Sequence, residues 1–141
     1  MQASDVIQYV EFGIEDETYA LKISDIQEII KVQEMTEIPN CRSYVKGVIN
    51  LRGKIVPIIS LRLLFELKED ELTKASRIIV VNHKEEAVGI VVDRVNKVTT
   101  FPDIQPPPER IGGISGSYFT AIGVSESGLV GILKLNEVLL Q

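Results

Sequence analysis

Apolar positions in this chain come in short alternating runs separated by turn residues, a pattern that predicts strands more than helices. Val6 to Ile14 reads as a strand with Val6, Val10, Phe12 and Ile14 on one face; Glu15-Asp16-Glu17 turns it. Thr18 to Ile23 returns with Tyr19, Leu21 and Ile23 alternating. The pattern then changes: Ser24 suits a helix N-cap, Gln27 is its capping-box partner, and Ile26, Ile29 and Ile30 form a helical stripe, so a short helix is expected over Ser24 to Lys31. Val45 to Leu51 and Ile55 to Ile59 predict a hairpin around Arg52-Gly53, with one helical turn over Leu61 to Phe65. A second hairpin is expected over Arg77 to Asn82 and Ala87 to Asp93, and a third over Tyr118 to Val124 and Leu129 to Leu133. Between the last two lies a loop rich in Pro106-Pro107-Pro108, Gly112, Gly113 and Gly116; Asn136 is expected to cap a C-terminal helix.

The pattern repeats. Tyr44, Val48, Ile55, Val56, Ile58, Ile59, Leu61, Leu64 and Phe65 recur at one constant offset as Tyr118, Ile122, Leu129, Val130, Ile132, Leu133, Leu135, Val138 and Leu139. Ser24 before Ile26 and Ile29 is echoed by Asp93 before Val95 and Val98, and Ile38-Pro39 by Phe101-Pro102. This points to a duplicated β unit of about 60–70 residues per copy. Copies this small bury too little surface alone, so a shared apolar core is expected. The chain reads as one domain over residues 1–141, built of two subdomains at roughly 15–75 and 76–141, with the N-terminal strand completing the second.

With 45% apolar and 25% charged residues the chain can bury a real core. Its net charge of -5 argues against nucleic acid and anionic membrane surfaces, which need clustered cations. One cysteine, Cys41, excludes an internal disulfide and suits a reducing compartment. The first residues lack the basic and apolar regions of a signal peptide, and no apolar run spans a bilayer. A cytoplasmic location is therefore expected.

The stretch Gly47-Val48-Ile49-Asn50-Leu51-Arg52-Gly53-Lys54-Ile55-Val56-Pro57-Ile58-Ile59-Ser60-Leu61-Arg62, with Ile26-Gln27-Glu28-Ile29 and Val88-Gly89-Ile90-Val91-Val92-Asp93, resembles the CheW family of chemotaxis coupling proteins. The resemblance covers almost the whole chain. Ser60 departs from it, since the family usually has Asp or Asn there. The resemblance implies a mainly β fold of two intertwined five-stranded SH3-like barrels sharing a hydrophobic core, with short helices. It also implies an adaptor with no catalytic activity, whose partners are the cytoplasmic tip of a methyl-accepting chemotaxis receptor and the regulatory domain of the histidine kinase CheA.

For the receptor, the expected contacts are Ile26 and Ile29 in a groove between the subdomains, faced by Val95 and Val98, while Ile30 belongs to the core. By resemblance, Arg52 lies near Glu28 at the receptor-facing edge; Arg suits bidentate contact with carboxylates. Gly53 is expected to supply a positive φ, and Gly47, grouped with the receptor-facing residues, to permit close backbone approach. The family uses the first barrel for the kinase, which nominates Ile38, Pro39, Tyr44, Val45 and Lys54.

Catalysis finds little support. Metal and nucleophilic sites need clusters of His, Cys and carboxylates, and the chain has one His and one Cys. His83 falls in a solvated turn, Cys41 reads as half-buried rather than nucleophilic, and Asp25 and Asp93 read as helix-start residues. Gly112, Gly113 and Gly116 lack the context of a phosphate loop. No metal or cofactor is implied. The alternative is a small β-barrel that binds single-stranded nucleic acid, which would need exposed aromatics interleaved with cations.

Overall fold

A computed structural model describes residues 6–40, 42–68, 72–111, 114–126 and 128–139. Cys41, Gly112 and Gly113 therefore lie outside the described residues. In chain order the elements are β1 (Tyr9–Ile14), β2 (Glu17–Lys22), a 3-10 turn at Ile23–Asp25, β3 (Ile26–Lys31), β4 (Val45–Leu51), β5 (Lys54–Ser60), α1 (Leu61–Leu64), β6 (Arg77–His83), β7 (Glu86–Val92) and β8 (Arg94–Thr99). There follow β9 (Asp103–Gln105), β10 (Arg110–Ile111), β11 (Ile114–Ser115), a 3-10 turn at Gly116–Tyr118, β12 (Phe119–Ser125), β13 (Gly128–Leu133) and α2 (Leu135–Leu139).

The chain divides into two units. The central unit takes Asp25–Val95; the terminal unit takes the chain up to Ser24 and from Asn96 onward. The central sheet has the order β3-β6-β7-β5-β4, and the terminal sheet β8-β1-β2-β13-β12-β9. The first five places of the two orders correspond, and each sheet has a parallel contact at the same place, β5 with β7 and β13 with β2. The repeat seen in the sequence is thus a repeat of topology, and the fold is mainly β with two SH3-like subdomains. The short β9 gives the terminal sheet a sixth strand. The boundary expected near residue 75 lies inside the central unit, because β6 and β7 pair with β3 and β5.

Local chemistry explains the hairpins. Arg52 and Gly53 have φ of 52° and 84°, and Lys84 and Glu85 have 51° and 69°, the signature of two-residue turns whose twist matches the flanking strands. The central core comprises Ile49, Leu51, Val56, Ile58, Ile78, Val80 and Val91, with Ile30 packed against it as expected. Each such side chain contributes about 1.5–3 kcal/mol by leaving water. In the terminal unit Tyr9, Ala20, Phe101, Ala121, Val130 and Ile132 cluster. Tyr19 packs there against Phe12 and Phe119; burial, with help from Glu17 and Glu15, pushes its hydroxyl up to about 12.

Three expectations are corrected. Ser24 does not open a helix: after the short 3-10 turn, Ile26–Lys31 is an edge strand paired with β6. Six residues rich in β-branched isoleucine make a poor isolated helix, whereas the open edge of β6 satisfies their backbone groups. Likewise Asp93 starts no helix, since Arg94–Thr99 is a strand. Asn136 lies inside α2, one residue beyond its start. By contrast Ser60 does cap α1, its Oγ accepting from the Leu63 N–H at 3.2 Å, so the departure from the family pattern leaves the cap intact.

Candidate functional site

Strand β3 and the β4–β5 turn build the first candidate site, wholly inside the central unit. A register shift between Ile26 and Glu28 marks a bulge: Ile26 pairs with Val81, Glu28 with Val80, Ile29 with Ile79 and Ile30 with Ile78. Directly paired residues share a face, so Ile26 and Ile29 point to one side of the strand, while Glu28 and Ile30 point to the side that carries Ile78 and Val80. The i, i+3 pair that the sequence suggests for a helix face is thereby kept together by a bulged strand. Ile26 is half-buried, whereas Ile29 is exposed.

Glu28 sits above the core face with its side chain 25% exposed, so its charge needs a partner. Arg52 supplies one: its Nη2 donates to Glu28 Oε2, with the Arg52 side chain 66% exposed. The turn aims Arg52, and Asn50 Oδ1 accepts the Gly53 N–H at 2.9 Å, which pins the turn. Gly47 is buried and works through shape. A Cβ there would fall 2.4 Å from the Thr36 carbonyl oxygen, and that backbone is held by reciprocal 2.9 Å bonds between Thr36 and Val48. Val95, half-buried, is the second residue of β8 and falls in the central unit; Val98, 51% exposed, lies on the same strand in the terminal unit.

The second candidate set is only partly brought together. Ile38 and Val45 line a shallow groove of about 320 Å³ with Arg42 and Leu63, and Pro39 next to Ile38 is exposed. Tyr44 is half-buried, and its hydroxyl is buried without a hydrogen bond in the structure. Lys54 instead lines a depression of about 510 Å³ shared with Arg52, Gln27 and Glu86.

Sequence reasoning missed the exposure of Ile55, another residue that lines that depression. Ile55 is 65% exposed, and Leu129, its match in the repeat, is 69% exposed in the terminal unit. Leu129 borders a cavity of about 530 Å³ with Tyr19, Pro107 and Ile122. Both positions are the second residue of a strand, just past its turn, where alternation alone does not say whether the sheet is yet covered. Also missed was the use of Asp93, whose carboxylate takes two bonds from Arg62 at 3.0 and 2.6 Å.

Among the described residues no group of His, Cys, Asp and Glu could hold a metal ion. His83 is half-buried, not fully solvated, at the end of β6. Of the aromatics, Tyr9, Phe12, Tyr19, Phe65, Phe101 and Phe119 are buried, and Tyr44 and Tyr118 are half-buried, which leaves no platform for stacking bases. No helix among the described residues is long and apolar enough to cross a membrane.

The duplicated β scaffold presents a charged, partly apolar edge strand in its central unit. The family model for the CheW-like domain matches residues 8–141, and the chain belongs to that family. It is 39% identical over 137 residues to the chemotaxis protein CheW of Helicobacter pylori, covering 96% of this chain and 82% of that one. The chemotaxis protein CheW of Bacillus subtilis is 34% identical over 130 residues, covering 91% and 83%. The crystal structure of the scaffolding protein TtCheW from Thermoanaerobacter tengcongensis superposes with a TM-score of 0.87 at 32% identity, covering 94% of this chain and 87% of that one.

Proposed function

We propose that this chain is a cytoplasmic chemotaxis adaptor that couples methyl-accepting receptors to the histidine kinase CheA and makes or breaks no covalent bond. The receptor's helical tip meets the β3 edge through Ile26, Ile29 and the Glu28–Arg52 pair, with Val95 and Val98 on β8 as further contacts and Gly47 shaping the hairpin. The kinase's regulatory domain takes the surface around Ile38, Pro39, Tyr44 and Val45, with Lys54 as a separate contact at the other end of the β4–β5 hairpin. The observation that carries this reading is the Arg52–Glu28 pair at an edge strand whose neighbouring Ile29 is exposed, within a chain of the CheW-like family.

The physics of such a job is modest. Each contact needs only micromolar strength, about −8 kcal/mol. Holding both partners at once raises effective concentration and gives avidity without further contacts. The test is co-purification: the tagged full chain is mixed with a receptor-tip fragment and the kinase's regulatory domain. Recovery of all three together is the expected result. Recovery of neither partner, by a chain shown to be folded, refutes the proposal.

A further inference from the structure

We propose that the Arg62–Asp93 pair is a positioning device that fixes the start of β8, and with it Val95, for receptor binding; this rests on the receptor reading above. Asp93 is the single residue between Val92, which ends β7, and Arg94, which begins β8. β7 lies inside the central sheet, while β8 leaves it for the other sheet, so the direction change falls on Asp93. Its side chain is held by a guanidinium that is itself held. Arg62 Nε and Nη2 donate to Asp93 Oδ1 and Oδ2 at 3.0 and 2.6 Å, and Nη1 donates to the Lys68 carbonyl at 2.9 Å. The Arg62 side chain is only 13% exposed, and α1 beneath it is anchored by the Ser60 cap and the buried Leu61 and Leu64. A two-toothed contact of this kind fixes angle as well as distance.

The lever is short but sufficient. Val95 is two residues beyond Asp93, about 6–7 Å along an extended chain, so a swing of about 20° at Asp93 moves it by about 2 Å. That is enough to lose van der Waals contact with a docked helix.

The fold itself does not require the pair. At the constant offset of the repeat Arg62 is matched by Asn136, while Asp93, before Val95 and Val98, is echoed by Ser24, before Ile26 and Ile29. Asn136 and Ser24 are exposed, yet the terminal unit completes the corresponding strand order with them. An interaction present in one copy and replaced in the other is accounted for by what that copy has to hold in place.

The experiment compares the full native chain with Asp93→Asn, with the exchange Arg62→Asp plus Asp93→Arg, and with Glu28→Lys. Receptor-tip affinity, affinity for the kinase's regulatory domain, thermal midpoint and amide exchange at Arg94 and Val95 are measured for each. Asp93→Asn is expected to speed exchange at Arg94 and Val95 and to weaken tip binding about tenfold, with kinase-domain affinity changed less than twofold. The exchange variant is expected to recover most of the tip affinity. Unchanged amide exchange in Asp93→Asn overturns the proposal, and so does a recovered thermal midpoint without recovered tip affinity in the double variant. If Asp93→Asn does not fold, the double variant decides by the same readouts. Amide exchange is read without ligand, so it judges the clamp even if Glu28→Lys binds the tip normally and thereby removes the receptor reading.

Discussion

Reversing the charge of Glu28 separates binding from stability. In the native chain Arg52 donates to Glu28, but the Arg52 side chain is 66% exposed, so water and salt screen the pair. Screened surface pairs contribute about 0–1 kcal/mol. Glu28→Lys removes that contribution and sets two cations a few ångströms apart, adding about 1 kcal/mol of repulsion at high dielectric. The expected loss is about 1–2 kcal/mol, a fall of a few degrees in thermal midpoint. A receptor-tip fragment that engages the pair would instead meet a reversed charge, and affinity should fall by tenfold or more, about 1.4 kcal/mol per decade. Calorimetry with the receptor-tip fragment, alongside a thermal scan, measures both quantities. A folded Glu28→Lys chain that binds the tip within twofold of the native affinity refutes the assignment of this edge. Collapse of the fold would refute the screening argument.

Ile26→Asp should weaken tip binding more than it lowers the thermal midpoint, because Ile26 is half-buried on an edge strand; global unfolding would assign it to the core instead. Gly47→Ala should cost roughly 3 kcal/mol in denaturant titration, since φ is +152° and the new Cβ meets the Thr36 carbonyl oxygen; a loss under 1 kcal/mol would contradict that geometry. Glu11→Leu should hold or raise stability, because Glu11 is buried, its Oε2 has no hydrogen bond among the described residues, and its counter-charge, Lys97 3.8 Å away, is exposed; a clear loss would show that the pair outweighs its desolvation. Stability should fall as pH rises from 10 to about 12. The unfolded chain ionises Tyr19 near 10 whereas the fold keeps it protonated to about 12, so the unfolded state binds fewer protons in that window. Alkaline denaturation followed with tyrosinate absorbance checks this, and a Tyr19 that ionises near 10 in the folded chain would refute it.

The sequence alone determined the hairpins at Val45–Ser60, Arg77–Val92 and Phe119–Leu133, because alternation and turn chemistry act between neighbours and need no distant partner. It also carried the family pattern around Arg52, and only through that resemblance the expectation that Arg52 lies near Glu28. Tertiary structure decided what local pattern leaves ambiguous. Apolar residues at i, i+3 and i+4 read as a helix stripe over Ile26 to Ile30. A bulged strand gives Ile26 and Ile29 a common face equally well, and the open edge of β6 made the choice. Sheet pairing also decided that β6 and β7 complete the central unit and that β2 follows β1 into the terminal one. The exposure of Ile55 and the grip of Arg62 on Asp93 were likewise set by elements distant in sequence, since covering a strand face or pairing a carboxylate requires groups that only folding brings near.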